Sequence, residues 1–308
     1  MLPWNSVHIP DGFLSTPVWL ALDVTGLPAI GLLARRARRE LEEARAPLLG
    51  VTGAFVFAAQ MINFPVAAGT SAHLVGGALL AIALGPAAAA VVMTAILAVQ
   101  AFVFQDGGIL ALGANVFNMA IAGVLAGYLP YRLWGAGGRR RAAIFAAGAL
   151  SVMVSALLAV SELLASGVPV RPAAMAFLLV VFGVSAVVEG AITVAVVRGI
   201  ERLSPQIIRQ TAAERSWVLA ACGAGAVLLA AAGGLVASTN PDGLQWLGGQ
   251  LDILGRITNL FTAPLAEYRA RWLGSPWIAK AAAGAAGALL VGLISIALGR
   301  AAARTRSA

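Results

Sequence analysis

Charged residues are scarce in this chain of 308 residues. They make up 11% of the sequence, whereas hydrophobic residues make up 60% and the mean hydropathy is +0.89. A soluble domain carries about 25% charged residues, which it needs to cover its surface in water. The composition therefore excludes an ordinary soluble domain and predicts an integral membrane protein.

Three reactive residue types are also nearly missing. The one cysteine, Cys222, has no partner in the chain for a disulfide, which excludes a disulfide scaffold. The one lysine, Lys280, lies in no Gly-x-x-x-x-Gly-Lys sequence, so the chain cannot form the phosphate-binding loop of an ATPase. With two histidines and no His-Glu-x-x-His pattern, a catalytic zinc site is not expected either. The sequence predicts no catalytic residues and no enzyme.

Long apolar runs dominate what is present. A bilayer core of about 30 Å needs roughly 20 helical residues. Lipid offers no hydrogen-bond partner to backbone N–H and C=O groups, so these groups must pair with each other and such runs must be helices. They are too long and too rich in Ala, Leu and Val for barrel strands. The predicted fold class is an all-α integral membrane protein with about nine transmembrane helices, at 15–34, 46–64, 71–85, 86–104, 109–131, 142–166, 172–199, 216–238 and 277–299.

Arginines between the apolar runs orient the predicted helices. With the amino terminus outside and the carboxyl terminus in the cytoplasm, sixteen of the 21 basic residues lie on the cytoplasmic side, as the positive-inside rule requires. This topology explains the net charge of +8 without a nucleic-acid partner. It predicts a multi-pass protein of a bacterial-type plasma (inner) membrane.

The same topology places both histidines at the outer face. His8 precedes the rigid turn Pro10-Asp11-Gly12, which indicates that the amino end folds back onto the protein. His73 follows the outer connection 64–71. Each could be an ordinary solvated or interfacial side chain. Two imidazoles at one mouth favour a shared metal ion instead, because imidazole is the commonest ligand for Zn, Cu and Ni.

Polar side chains near this mouth have two interpretations. They could orient the imidazoles by hydrogen bonds, or they could bridge helices in lipid. Within the spans, bridging of helices is the slightly favoured role for Asn115 and Asn118. Glu162 and Glu189 are functional candidates, but neither is assigned as a metal ligand. The candidates for orienting the imidazoles are Gln60, Asn63, Thr70 and Ser71.

Several long strings resemble a known family. "HIPDGFLS" at 8–15, "FAAQMINFPVAAGTSAHLVGGALLAIALGP" at 57–86 and "FQDGGILALGANVFNMAIAG" at 104–123 resemble the NikM/CbiM family, the substrate-capture components of energy-coupling-factor transporters for nickel and cobalt. "NPDGLQWLGGQLDILG" at 240–255 and "APLAEY" at 263–268 resemble the accessory NikN-type segment. Two departures are Ala72 for the usual Gly and Gln245 for the usual Glu.

The resemblance implies two regions and a ligand set. A metal-capture domain of seven helices would occupy 1–203, and an accessory segment of two helices with an outer loop would occupy 204–308. The implied site is a square-planar set of nitrogens from Val7, His8 and His73. Planar nitrogen ligation suits Ni(II) or Cu(II) better than tetrahedral Zn(II). Ni(II), or alternatively Co(II), would be the transported substrate, with no permanent cofactor.

The family also implies partners, namely a transmembrane coupling (T) subunit and cytoplasmic ATPase subunits, besides the lipid bilayer. Three alternatives remain open: a cobalt importer component for cobalamin synthesis, an intramembrane metalloenzyme and a secondary metal transporter. The accessory segment contains no histidine, so we expect residues 7–203 to bind metal without it.

The amino terminus departs from the family pattern. The family motif starts at the terminal amine as Met-His-Ile-Pro-Asp-Gly, whereas Met1 to Ser6 precede Val7 here. An internal peptide nitrogen is a far weaker donor than a free amine of pKa about 8. Our hypothesis is that Val7 is the true start, read as methionine from a GUG codon, or that proteolysis removes the first six residues.

Overall fold

The computed structural model describes residues 8–40, 45–67, 69–203, 216–238 and 240–304. These residues are mostly helical, with one small antiparallel hairpin of β1 and β2. In chain order the elements are α1 Thr16–Glu40, α2 Ala46–Gln60, β1 Phe64–Ala67, β2 Thr70–Ala72, α3 Gly77–Leu84, α4 Pro86–Val99, a π-helix Gln100–Phe104, α5 Leu112–Asn115, a second π-helix Val116–Gly123, α6 Val124–Trp134, α7 Arg140–Ala165, α8 Pro172–Leu203, α9 Ser216–Val236, α10 Gly243–Gln250, 3₁₀ turns Leu254–Arg256 and Ala266–Tyr268, and α11 Pro276–Arg304.

The prediction of an all-α membrane protein is confirmed. Among the described residues, six helical segments are long and apolar enough to cross a bilayer, and Ala46–Gln60 and Cys222–Gly233 are shorter apolar helices. The third predicted span, 71–85, contains only the eight residues of α3, because β2 and an irregular stretch precede it. The count of nine transmembrane helices therefore stays a prediction.

A break at Gly85 and Pro86 reverses the chain between α3 and α4. Gly85 has a φ of 85°, which glycine adopts without the strain that a side chain would bring. Pro86 then starts α4, where its missing N–H group would have no helical partner in any case. Pro86 lies beside Arg36 and Arg132, and α4 and its π-helical end run from there to Phe104, about 1.5 Å per residue. The fold thus has an arginine-lined end and, roughly 27 Å away, an opposite end.

The accessory helices share the core of the bundle. Both α9 and α11 pack against α2, and α11 also packs against α9. Small residues allow this close approach, since a side chain at Gly50 would meet the Gly292 carbonyl. Phe57 and Phe104, with ring centroids 5.4 Å apart, are fully buried where these helices meet.

Candidate metal site

The amino end is fixed to the loop that follows α4. The Asp11 carboxylate accepts hydrogen bonds from the backbone N–H groups of Ile109 (3.0 Å) and Ala111 (3.1 Å). The Asn115 side chain binds Ile9 twice, accepting from its N–H at 3.0 Å and donating to its carbonyl at 3.1 Å. The predicted fold-back of the amino end is thus confirmed for residues 8 onward. His8 is 3% exposed as a result.

Two glycines make this close approach possible. A side chain at Gly108 would collide with the carboxylate and the backbone nitrogen of Asp11. Gly12, at a φ of 94°, lies against the Arg256 carbonyl, and the Thr258 N–H donates to the Asp11 carbonyl at 3.1 Å. The turn Pro10-Asp11-Gly12 is therefore held between the loop after α4 and the accessory segment.

The two histidines of the chain meet at this end of the bundle. Their ring centroids are 5.6 Å apart and their planes are nearly perpendicular, at 87°. Imidazole nitrogens bind metals at about 2.0–2.1 Å, so two rings on one ion have centroids no more than about 6 Å apart. The separation of His8 and His73 is compatible with one shared ion.

A chain of side-chain amides fixes the proton of His8. The Gln60 Nε2 donates to the Val75 carbonyl at 2.8 Å, so the Gln60 Oε1 is free to accept from the Gln100 Nε2 at 2.9 Å. The Gln100 Oε1 then faces the His8 Nε2 at 3.0 Å and can only accept. This network assigns the ring proton of His8 to Nε2 and the lone pair to Nδ1.

His73 has the opposite tautomer. Its Nδ1 lies 3.0 Å from the carbonyl oxygen of Leu74, which can only accept, so Nδ1 carries the proton and Nε2 the lone pair. The following backbone is anchored by Glu189 of α8, whose two carboxylate oxygens accept from the N–H groups of Val75 and Gly76, each at 2.8 Å. Glu189 thus supports the position of His73 from beneath.

A cavity of about 100 Å³ adjoins both imidazoles. Its wall includes the accessory segment at Asp242 and Gly243, besides helices of the bundle. Ser71 joins the two regions: its N–H donates to the Pro241 carbonyl at 2.8 Å and its hydroxyl to the Asn240 carbonyl at 2.7 Å. The accessory loop therefore forms part of the site's surroundings.

Asp242 and Gln245 explain the departure from the family motif. Asp242 caps α10 by accepting from the Gln245 N–H at 2.7 Å, and the Gln245 Oε1 accepts from the Asp242 N–H at 3.2 Å. This capping box needs only an acceptor oxygen at residue 245, which Gln and Glu both supply. Burial, together with the charge of the neighbouring Asp106, raises the pKa of Asp242 from its ordinary 3.8 to about 7.

The remaining predicted site residues have other positions. Val7 lies outside the described residues. Gln60 reaches His8 only through Gln100, and the Asn63 carbonyl accepts from the Ser238 N–H at 2.7 Å. The hydroxyl of Thr70 donates to the Ala67 carbonyl at 2.6 Å rather than to an imidazole, and that of Ser71 donates to the accessory loop.

Gln100 was not predicted from the sequence, and Asn115 was predicted to bridge helices rather than to hold the backbone beside His8. A signal existed for Gln100, since a polar residue within an apolar span is a functional candidate. Across the described part of the chain, no three His, Cys, Asp or Glu side chains converge in a way that could hold an ion. A site at His8 and His73 therefore needs donors besides side chains of these types.

Comparison with known proteins agrees with this architecture. The family model described as cobalt uptake substrate-specific transmembrane region matches residues 8–207. A fused NikMN protein of Archaeoglobus fulgidus, named for nickel transport, is 36% identical over 303 residues, covering 96% of this chain and 98% of its own. The cobalt transport protein CbiM of Thermosediminibacter oceani is 38% identical over 149 residues, covering 47% of this chain and 61% of its own.

A solved structure supports the same assignment. The crystal structure of a truncated transition metal transporter matches with a TM-score of 0.57 and 33% identity, covering 64% of this chain and 99% of its own. The relatives are named as transporters, so this chain is a transport component rather than an enzyme. The chain belongs to the CbiM/NikM family of nickel and cobalt transport proteins, as a member with a fused NikN-type segment.

Proposed function

We propose that this chain captures Ni(II) at the outer face of the membrane for an ATP-driven energy-coupling-factor importer. The observation that carries the proposal is the meeting of both histidines, 5.6 Å apart, beside a cavity at one end of the bundle. The donors are the Nδ1 of His8, the Nε2 of His73 and backbone nitrogens of Val7 and His8. Backbone donors are favoured because the described side chains offer no third ligand of the usual types.

Nickel is favoured over cobalt on two grounds. The fused NikMN relative covers nearly the whole chain and is named for nickel transport, and planar nitrogen ligation suits Ni(II). The cobalt alternative has support from the CbiM relative, which is named for cobalt. Uptake of each metal isotope in competition, by cells that carry the whole transport system, decides between the two.

Transport needs partners that this chain does not replace. It has no phosphate-binding loop, so ATPase subunits and a T subunit supply the energy and its coupling. A cavity at the opposite end from the histidines is lined by Arg36, Arg45 and Arg132, which supports an amino terminus outside and a carboxyl terminus inside a bacterial-type inner membrane. ATP-dependent uptake in reconstituted vesicles separates this function from a secondary transporter.

Replacing His73 by Ala tests the proposed site. We expect the variant to lose high-affinity nickel binding because one of two converging imidazoles is removed, while the half-buried side chain contributes little to folding. Isothermal titration of the purified protein in detergent measures binding, and the melting temperature checks folding. Ser161→Ala, an exposed substitution on α7, is the control. Wild-type affinity in His73→Ala would exclude this site.

A further inference from the structure

A tyrosine of the accessory segment touches the amide chain that holds His8. The Tyr268 hydroxyl donates to the Asp106 Oδ2 at 2.6 Å, and the same phenol also interacts with the side chain of Gln100. Gln100 is the residue whose Oε1 accepts from His8. The contact path from Tyr268 to the imidazole of His8 therefore contains one intervening side chain.

The hydrogen-bonding capacity of Gln100 makes this contact directional. A side-chain amide has two N–H donors and one carbonyl acceptor. One donor goes to the Gln60 Oε1 and the acceptor to His8. The phenol of Tyr268, whose own proton goes to Asp106, interacts with Gln100 and offers its oxygen as an acceptor for the second donor. Tyr268 thus favours the one amide orientation that presents an oxygen to His8.

Backbone contacts hold the accessory segment at this point. The Leu265 N–H donates to the Val103 carbonyl at 3.0 Å, and the Ala263 N–H donates to the Gln105 Oε1 at 3.2 Å. The ring of Tyr268 stacks on Phe104, with centroids 4.6 Å apart and planes 19° apart. These three partners of the accessory segment lie at the end of the π-helix that follows α4, where the backbone N–H of Asp106 donates to the Gln100 carbonyl at 2.9 Å.

The backbone at this junction is strained on both sides. Gln105 has a φ of 56°, and Glu267 and Tyr268 have φ values of 60° and 56°. Residues with side chains rarely adopt this left-handed region, and such strain persists where the surroundings hold it, often at functional sites. Here it orients the Tyr268 hydroxyl toward Asp106 and Gln100.

We propose that Tyr268 is a positioning residue of the metal site: by fixing the amide of Gln100, it holds the imidazole of His8 with Nδ1 toward the metal. This inference rests on the proposed function. Through Tyr268, the accessory segment, which contains no histidine, sets the metal affinity of a site built by the region that carries His8 and His73. Groups that orient a metal-binding histidine in this way are worth about 10- to 100-fold in metal affinity.

The variant Tyr268→Phe tests the proposal, because it removes only the hydroxyl and keeps the ring on Phe104. We expect nickel binding about tenfold weaker than wild type, together with a shifted visible absorption band of the bound Ni(II), since the orientation of a ligand changes. Tyr128→Phe, at the arginine-lined end, is the matched control and should keep both the affinity and the band.

A double-mutant cycle with Gln100→Leu separates positioning from a general structural effect. Coupling is expected, so that the double variant loses less affinity than the sum of the two single losses. Wild-type affinity in Tyr268→Phe overturns the proposal. The proposal is also overturned if Tyr268→Phe binds nickel more weakly with an unchanged absorption band and its loss of affinity is additive with that of Gln100→Leu. If Tyr268→Phe loses its folding transition, Asp106→Asn is used instead, because it weakens the acceptor of the Tyr268 hydroxyl. The same loss of nickel affinity and the same shift of the absorption band are then expected.

The wild-type protein separates this proposal from the proposed function. If wild type binds no nickel and His73→Ala changes nothing, the metal site itself is wrong. If wild type binds nickel through His73 and Tyr268→Phe is indistinguishable from it, the site stands and only the positioning role of Tyr268 is wrong.

Discussion

At the residue scale, Asn115 shows how a polar side chain within an apolar segment determines the position of a distant one. The sequence favours helix bridging for Asn115, yet its amide pairs with the N–H and the carbonyl of Ile9, the residue after His8. Both contacts are buried. A backbone group that is buried without a partner costs about 1–3 kcal/mol, so Asn115 has a large influence on where His8 lies.

Replacing Asn115 by Ala should weaken nickel binding about tenfold, as expected for a group that orients a metal ligand. The Ile9 N–H loses its acceptor, while the Ile9 carbonyl keeps the N–H of Gly108 as a donor at 2.9 Å. Titration of the detergent-purified variant measures the affinity. Asn259→Ala, at an exposed position, is the control and should bind as wild type does. Unchanged affinity in Asn115→Ala would show that Ile9 is held without it.

At the element scale, α10 links the accessory loop to the cavity through its first turn. Asp242 caps this helix and also lines the cavity beside the histidines. A helix of eight residues is too short to be stable alone. Its cap and its packing on α8 therefore determine whether it forms, and the ionisation of Asp242 affects both the cap and the buried contact.

Deprotonation of Asp242 should lower the stability of the protein as the pH rises from about 4 to about 7. Its pKa is raised from 3.8 to about 7 by burial, so the folded state holds this proton where the unfolded chain releases it. The folded state therefore binds more protons across this window, and stability falls with rising pH. Melting temperatures in detergent between pH 4 and 8 measure the effect.

Asp242→Asn should flatten this pH dependence while keeping the cap, because Asn caps helices as well as Asp does. Asp252→Asn, which removes an exposed carboxylate just after α10, is the matched control. An Asp242→Asn protein with the wild-type pH profile would contradict the assignment of this effect to Asp242.

At the scale of the whole molecule, the accessory segment has two roles in the fold. Its helices α9 and α11 pack against α2, and the chain between them contacts Ser71, Asp106 and the cavity. The sequence alone led us to expect a metal site independent of this segment, because the segment contains no histidine. The contacts of Pro241 and Tyr268 favour a site that the segment supports.

Ending the chain after residue 212 should therefore weaken nickel binding rather than leave it unchanged. Truncation removes the carbonyl acceptors of Ser71 and the phenol beside Gln100, but it leaves both histidines. We expect a loss of about tenfold or more, measured by titration of the folded, truncated protein. Full affinity would restore the expectation from the sequence, and complete loss would mean that the segment supplies a ligand.

The class of the protein and its family follow from consecutive residues of the chain. Apolar runs must become helices in lipid because the backbone has no other partner there, and this prediction needs no knowledge of packing. The long strings around His8 and His73 carry the family resemblance in consecutive residues. The turn at Pro10-Asp11-Gly12 could likewise be read from local preferences, because proline and glycine restrict the backbone within a few residues.

The side chains that support the histidines could be identified only from the packing of the fold. Gln100 lies 92 residues from His8 and Tyr268 lies 162 residues from Asp106, and no local pattern encodes such pairs. Thr70 and Ser71, next to His73 in sequence, donate elsewhere. The reason is physical: a buried amide or hydroxyl bonds to whichever partner the packing of helices brings within about 3 Å, and sequence proximity does not specify that partner.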